Sequence, residues 1–310
     1  MNNLKTASYA CIDLGSNMCR LVVARYDKKT QRSLIIRSHS HLLSLGKNKD
    51  FITNEDLNRT LNALKETKSI ARMYTNEQIS CIATAVFRSA QNSGEFLRKA
   101  KDNLGLHFRI IDPGEEIALT ALGCKEHALN EPFFVVDMGG GSTEIGLFGA
   151  KEQLYLLDWI SLPCGLFFFH GRHSQPPMPI DAHKSLLAFT LRTQSVAKKI
   201  PLIICRSLIM TLISNYMSRH ESVNRQAIYG SIFEKNHLIW IMGEILAMDK
   251  EGIRKLTKNI QYVSSIKPVI QFAQHLICTL SVDRIIFSNS SLKEGLVEMV
   301  GAYYYGKHST

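Results

Sequence analysis

The clearest pattern in this chain is a pair of apolar runs joined by a short polar turn, which occurs twice. Residues 9–14 and 21–26 are apolar runs on either side of a short polar turn, a pattern typical of a β-hairpin. The same order of run, turn and run recurs over residues 133–148. We therefore predict two similar structural units, a first lobe formed by residues 1–128 and a second lobe formed by residues 129–310.

After the first hairpin, apolar residues at helical spacing alternate with short apolar runs. Residues 54–75, 88–104 and 115–128 have the helical pattern, whereas residues 79–84 and 108–111 resemble strands. Because strands that alternate with helices are typical of layered α/β domains, we predict that architecture for the first lobe.

The pattern is weaker in the second lobe. Residues 181–199 and 234–248 are predicted to be helical, and residues 202–205 and 285–287 to be short strands. Residues 165–180 contain two adjacent prolines and several histidines, which predicts a loop.

Composition narrows the class of protein. Of 310 residues, 45% are hydrophobic and 21% are charged, which indicates a globular chain with a real core rather than a disordered or fibrous one. The 37 Lys and Arg residues exceed the 27 Asp and Glu residues, so the formal net charge is +10. Such an excess favours polyanionic partners, but it also describes a basic surface without a specific partner.

The cysteines and the apolar runs favour a cytoplasmic protein. None of the seven cysteines forms a Cys-x-x-Cys pair, which is typical of free thiols in a reducing compartment. The apolar stretch from Ala7 to Tyr26 is interrupted by Asp13 and Arg20, so it does not resemble a signal peptide. Residues 201–213 are too few to span a bilayer, and we expect no membrane partner.

The turns of the two hairpins are candidate phosphate-binding sites. Glycines after a strand let backbone N–H groups approach a phosphate closely, and hydroxyl groups add donors. The same residues would also suit ordinary tight hairpins. The candidate phosphate-binding residues are Gly15, Ser16, Asn17, Gly139, Gly140, Gly141, Ser142 and Thr143.

An aspartate precedes each turn. Asp13 and Asp137 are suited to holding a hydrated Mg²⁺ ion that neutralises phosphate charge, although Asp13 could equally serve as a turn-forming residue. The chain has neither a P-loop nor a Gly-x-Gly-x-x-Gly fingerprint, which argues against P-loop nucleotidases and Rossmann dehydrogenases.

Several segments together resemble one family. Residues 83–92, with the sequence ATAVFRSAQN, and residues 114–123, with the sequence GEEIALTALG, are similar to two signatures of the Ppx/GppA phosphatases. Residues 13–21 and 137–144 match the same family at the two hairpin turns, and shorter matches follow at 161–165 and 291–296. The matches keep the family's order over nearly the whole chain.

The resemblance implies a fold and an activity. The fold would be α/β, with two ribonuclease H-like lobes of the actin, sugar-kinase and Hsp70 superfamily, a cleft between them and no C-terminal HD-type domain. The activity would be that of an exopolyphosphatase, which releases terminal orthophosphate from inorganic polyphosphate. The 5′ γ-phosphate of guanosine pentaphosphate (pppGpp) is a second candidate substrate. Mg²⁺ or Mn²⁺ would be the cofactor, no specific nucleic acid is expected, and a homodimer is left open.

The resemblance also assigns roles to residues. Glu116 matches the general base that acts on the attacking water, and Glu115 is the fallback because the segment is one residue shorter than in the family. Arg88 matches the arginine that contacts phosphate. Glu144 is the third candidate catalytic residue, and the candidate metal ligands are Asp13, Asp137 and Glu144. Without the resemblance, Glu115 and Glu116 would suit the positive end of a helix, and Arg88 would suit a surface.

Two departures from the family pattern predict reduced or altered activity. A third glycine-rich turn is replaced by residues 202–208, which contain no glycine, and Arg206 there offers only a speculative positive charge. Lys293 replaces an arginine in the closing segment. Two alternatives remain open: a catalytically weakened protein that binds polyphosphate or an alarmone, and an actin-like ATPase or sugar kinase.

Overall fold

The chain forms two compact units in a computed structural model. The first unit comprises residues 1–123 together with residues 292–310, and the second comprises residues 124–291. The structure describes residues 8–45, 50–127, 131–150, 153–170, 178–196, 200–205, 207–221, 224–257, 263–280 and 282–306.

A five-stranded sheet forms the centre of the first unit. Its strands are β1 (Ser8–Leu14), β2 (Met18–Asp27), β3 (Arg32–Leu42), β4 (Ser80–Ala83) and β5 (Phe108–Ile110). The strand order is β3-β2-β1-β4-β5. The first three strands are antiparallel neighbours, while β4 pairs parallel with β1 and β5 parallel with β4.

Helices cover both faces of this sheet. They are α1 (Asn54–Arg72), α2 (Ala85–Ser89), α3 (Ser93–Leu104) and α4 (Pro113–Gly123). The Thr53 side chain caps α1 by accepting a hydrogen bond from the Asp56 amide. Leu64 and Phe96 of α1 and α3 pack with Ile12 on one face, while Leu119 of α4 packs with Cys11 on the other. The predicted helix over 88–104 is therefore two helices, separated at residues 90–92.

The second unit repeats the plan with six strands. They are β6 (Phe133–Met138), β7 (Thr143–Ala150), β8 (Leu154–Leu162), β9 (Ile200–Ile204), β10 (Ile232–Glu234) and β11 (Val282–Phe287). The order is β10-β11-β9-β6-β7-β8, with an antiparallel meander from β6 to β8 and with β9 and β11 added in parallel. The predicted repeat is confirmed, since each sheet begins with a meander whose first strand has a parallel neighbour.

Helices of the second unit contribute apolar residues to one large core. They are α5 (Ile180–Thr193), α6 (Leu208–His220), α7 (Arg225–Ile228), α8 (Lys235–Ala247), α9 (Lys250–Leu256) and α10 (Val263–Thr279). The helices predicted at 181–199 and 234–248 correspond to α5 and α8, although residues 197–199 lie outside the described residues. The predicted loop at 165–180 contains a 3₁₀ turn over Leu166–Phe169. Residues 171–177 of that loop are not among the described residues.

The last helix returns to the first unit. Helix α11 (Leu292–Gly301) packs Leu292, Leu296 and Val300 in the same core as Tyr9 and Leu119. The Tyr9 hydroxyl also donates a hydrogen bond to the backbone oxygen of Val297, at 2.9 Å. The observed division therefore differs from the predicted lobe of residues 129–310, because the apolar face of β1 and β2 needs α11 beside α4 to cover it.

Two general expectations concern the membrane and the thiols. Within the described residues, no helix is both long and apolar enough to cross a membrane. All seven cysteines are free thiols, and six of them are buried.

Candidate functional site

An ion pair joins two of the segments singled out in the sequence. Glu116 lies in the first turn of α4 and is only 8% exposed. Arg88 of α2 donates from Nη1 to Glu116 Oε2 at 2.6 Å and to the backbone oxygen of Ile111 at 2.9 Å. The structure thus brings the predicted base and the predicted phosphate-binding arginine into direct contact. A charged, directional pair of this kind fixes the orientation of both groups.

The neighbouring carboxylate has a different partner. Both oxygens of Glu115 accept hydrogen bonds at 2.5 Å from the guanidinium of Arg109 on β5. The Glu115 amide donates to Asp112 Oδ1 at 2.9 Å, which fastens the start of α4. Because Glu115 is engaged in a pair at the sheet edge while Glu116 is buried against Arg88, the two candidates for the base occupy distinct environments.

Asp13 is a buried carboxylate with one unsatisfied oxygen. Its Oδ2 accepts from Arg20 Nη1 at 2.9 Å, whereas Oδ1 has no hydrogen-bond partner among the described residues. Burial raises the pKa of Asp13 above its ordinary value, and the nearby charges of Arg20 and Lys293 oppose that rise. An orphaned, buried carboxylate oxygen is a fitting ligand for a hard cation such as Mg²⁺.

The turn after Asp13 is tied to the segment that carries Arg88. The Ser16 hydroxyl accepts a hydrogen bond from the Val86 amide at 3.1 Å, and the Thr84 amide donates to the backbone oxygen of Leu14 at 3.1 Å. The Leu45 amide donates to the backbone oxygen of Ser16 at 2.7 Å. The candidate turn of Gly15, Ser16 and Asn17 and the start of α2 therefore form one hydrogen-bonded assembly in the first unit.

In the second unit, backbone hydrogen bonds join the glycine-rich turn at residues 139–142 to the segment at residues 166–167. The Gly139 amide donates to the backbone oxygen of Ser142 at 2.9 Å, which closes the β6–β7 hairpin. The amides of Leu166 and Phe167 donate to the backbone oxygens of Gly139 and Gly140, at 3.0 and 2.9 Å. These bonds restrict the conformations that the turn can adopt.

Two residues, Thr143 and Gly165, complete the support of this turn. The Thr143 hydroxyl donates to the backbone oxygen of Cys164 at 2.7 Å. Gly165 lies so close behind the turn that a Cβ there would stand 2.5 Å from backbone atoms of Gly140 and Gly141. Of the candidate turn residues, Thr143 and Ser142 are buried, whereas Gly139 is exposed.

Asp137 and Glu144 face each other across the same hairpin. They are register partners in the antiparallel pair of β6 and β7, which places both carboxylates on one face of the sheet. Glu144 is 1% exposed, and its Oε1 accepts a hydrogen bond from the Ser161 hydroxyl at 2.9 Å. Neighbouring carboxylates repel each other when both are ionised, and a cation between them removes that cost. The residues therefore fit a divalent metal.

The stretch in place of a third glycine-rich turn serves as the entry to a helix. Cys205 is buried, and its amide donates to the backbone oxygen of Val136 at 3.1 Å. Ser207 caps α6 by accepting from the Met210 amide at 3.4 Å. Arg206, whose positive charge was considered as a substitute for the missing glycine-rich turn, lies outside the described residues.

Sequence reasoning missed two charged neighbours of Asp13. Arg20 is its register partner across the first hairpin, so the pairing of β1 with β2 would have revealed it. Lys293 forms an ion pair with Glu294 at the start of α11, and both charges act on Asp13. The local sequence does not reveal that Lys293 lies near Asp13, because this proximity depends on the packing of α11 against the first unit.

Fold and site together define the class of protein. Two α/β units, each with an antiparallel hairpin whose first strand carries an aspartate near the turn, are the plan of the actin-like superfamily, which confirms the predicted fold class. Residues 22–301 match the Ppx/GppA phosphatase family. The chain belongs to this family, which confirms the resemblance and supports a phosphohydrolase.

Solved structures agree with this fold. A Ppx/GppA enzyme of Aquifex aeolicus is 24% identical to this chain, with a TM-score of 0.75 over 94% of this chain and 99% of the other. An exopolyphosphatase of Cytophaga hutchinsonii is 21% identical, with a TM-score of 0.76 over 96% of this chain and 98% of the other.

Proposed function

We propose that this protein hydrolyses the terminal phosphoanhydride bond of inorganic polyphosphate, with pppGpp as the second candidate substrate. The observation that carries the proposal is the contact between the half-buried Arg88 and the buried Glu116 in a chain of the Ppx/GppA family. Hydrolysis of a phosphoanhydride needs a carboxylate that takes a proton from water and a cation that balances the negative charge on the transferred phosphoryl group. Arg88 and Glu116 are suited to these two tasks.

The roles divide as follows. Glu116 accepts the proton of the attacking water as the new P–O bond forms and the bridging P–O bond to the rest of the substrate breaks. Arg88 positions Glu116 through Oε2 and contributes a permanent positive charge to phosphate oxygens. The turns at Gly15–Asn17 and Gly139–Thr143 bind phosphate oxygens through backbone N–H and hydroxyl groups.

We propose Mg²⁺, or Mn²⁺ in its place, as the cofactor. Each unit offers its own candidate carboxylates for this ion: Asp13 in the first unit, and Asp137 with Glu144 in the second. A divalent ion held by such carboxylates would neutralise charge on the phosphate groups. The unsatisfied Oδ1 of Asp13 and the opposed pair of Asp137 and Glu144 support this assignment.

A substrate panel tests the proposal directly. Polyphosphates of several lengths, pppGpp and ATP should be incubated with the purified chain, with and without Mg²⁺, and released orthophosphate measured. We expect metal-dependent release from polyphosphate or pppGpp and much slower release from ATP. Release from ATP alone would instead favour the actin-like ATPase, and release from none of them would overturn hydrolysis.

The binding protein remains the second candidate. It is favoured by the stretch from Leu202 to Ser207, which contains no glycine and leads into a capped helix. Equilibrium binding and phosphate release should be measured on the same preparation. Tight binding of polyphosphate without turnover would support this second candidate against the first.

The formal charge of +10 predicts a salt dependence. If the excess Lys and Arg residues guide a polyanion, raising KCl from about 50 to about 500 mM should increase the KM for long polyphosphate by about tenfold or more. Orthophosphate release at several KCl concentrations measures this effect. A KM that stays constant would show that the excess positive charge does not contribute to polyphosphate binding.

Gly165→Ala should impair the turn at Gly139–Ser142. The added methyl group would collide with the backbone of Gly140 and Gly141, so the turn must shift, and we expect phosphate release to fall by about 10- to 100-fold. Gly243→Ala in α8 is the matched control, because nothing lies within 4 Å of its added Cβ. Equal activity of the two variants would contradict a role for this turn.

The cytoplasm is the proposed location. The seven free thiols support it, since a reducing compartment keeps such cysteines unpaired.

A further inference from the structure

Three potential metal ligands meet at the edge of the first sheet. His39 and His41 occupy alternate positions of the edge strand β3, so their side chains lie on one face. Their Nε2 atoms are 3.1 Å apart. Glu66 of α1 places Oε1 3.8 Å from His39 Nε2 and Oε2 3.8 Å from His41 Nε2. Elsewhere among the described residues, no other group of three His, Cys, Asp or Glu side chains converges in this way.

We propose that His39, His41 and Glu66 bind a divalent transition metal ion, with Zn²⁺ as the best fit. Two imidazoles and one carboxylate form a common Zn²⁺ ligand set, whereas Mg²⁺ prefers oxygen ligands alone. In a tetrahedral Zn²⁺ site, bonds of about 2.05 Å place two ligand nitrogens about 3.3 Å apart. The observed 3.1 Å between the imidazole nitrogens is close to that spacing.

The carboxylate needs only a small adjustment. Its oxygens lie about half an ångström farther from the imidazole nitrogens than a tetrahedral site requires. The Glu66 side chain is 59% exposed, so a change of rotamer costs little. Water would then complete the fourth position of the ion.

This site is separate from the proposed phosphate chemistry of the first unit. His39 and His41 pair across the sheet with Leu21 and Cys19, which face α1. Asp13 pairs with Arg20 on the opposite face of the sheet. A metal ion at the histidines would therefore fasten the edge strand β3 to α1 rather than contact a phosphate held beside Asp13.

The chain provides a matched control. His183 and His275 form a second pair of close imidazoles, with Nδ1 and Nε2 2.9 Å apart. Within the described part of the chain, no Asp, Glu or Cys joins them to make a group of three. Zn²⁺ binding should thus depend on the first histidine pair and not on the second.

Calorimetry with the untagged full chain tests the proposal. Zn²⁺ should be titrated in excess Mg²⁺ into the natural protein and into the variants His39→Gln/His41→Gln, Glu66→Gln and His183→Gln/His275→Gln. We expect the first double variant to weaken one Zn²⁺ site at least about 100-fold and Glu66→Gln to weaken it about tenfold. The control double variant should bind as the natural protein does. Unchanged Zn²⁺ affinity and stoichiometry in His39→Gln/His41→Gln would overturn the site.

A second measurement needs no substitution, so it holds even if a variant fails to fold. X-ray absorption at the zinc edge of the natural protein, loaded with one equivalent of Zn²⁺, reports the ligands directly. We expect two imidazoles and oxygen, with no sulfur. A Zn–S distance of about 2.3 Å would assign the ion to a cysteine such as the exposed Cys278 and overturn the proposal.

Discussion

Glu116→Gln is expected to lower phosphate release from polyphosphate by about 10²- to 10⁴-fold. The amide keeps the size of the side chain and can still accept the hydrogen bond from Arg88 through its oxygen, but it cannot take a proton from water. The fold should therefore survive while the turnover number falls. Steady-state release of orthophosphate, with circular dichroism as the check on folding, measures both.

Glu115→Gln is the matched control for this experiment. The two glutamates are adjacent in the same helical turn, and both pair with an arginine, yet Glu115 pairs with Arg109 at the edge of the sheet. We expect its substitution to change release by less than about threefold, as for an exposed ion pair. If Glu115→Gln abolished release and Glu116→Gln did not, the assignment of the base would have to be exchanged.

The second large effect concerns stability. Gly295→Ala should lower the free energy of unfolding by about 3 kcal/mol or more, because overpacking against a backbone cannot be relieved by a side-chain rotation. The added Cβ would stand 1.7 Å from the backbone oxygen of Leu119 and 3.0 Å from the amide nitrogen of Gly123. Helices α4 and α11 would have to move apart. Urea unfolding followed by circular dichroism gives the change.

Gly94→Ala controls for the loss of glycine itself. Gly94 also lies in a helix of the first unit, but nothing stands within 4 Å of its added Cβ. Its substitution should leave stability unchanged or raise it by up to about 1 kcal/mol, since alanine favours the helix. Equal midpoints for the two variants would show that α4 and α11 do not pack as closely as the structure has them.

The repeated hairpins were predictable because they are local. Each aspartate and glycine turn lies between apolar runs, and period and turn chemistry are read from a few adjacent residues. Helices α6 and α10 were not predicted from the sequence. Residues 201–213 form one largely apolar run that passes from β9 into α6, so the pattern does not separate the strand from the helix. Helix α10 contains Pro268, a residue that counts against a helix in a sequence pattern.

The candidate site also has one part that the sequence predicted and another that only the structure shows. Arg88 and Glu116 belong to segments whose resemblance to the family is visible in the sequence, and the structure adds that they touch. The different partners of Glu115 and Glu116 could not be read from the sequence. Adjacent residues of a helix point about 100° apart, and which direction faces the core depends on packing.

The return of α11 has a consequence for synthesis on the ribosome. The apolar face that carries Tyr9, Cys11 and Val22 is made early, but α11, which completes its cover, is translated only after all 168 residues of the second unit (Cys124–Ser291). The second unit is continuous in the chain and has its own core, so it can fold while the first is still incomplete. The nascent protein thus exposes a half-covered sheet during the translation of about half its length, the interval in which chaperones would be needed most.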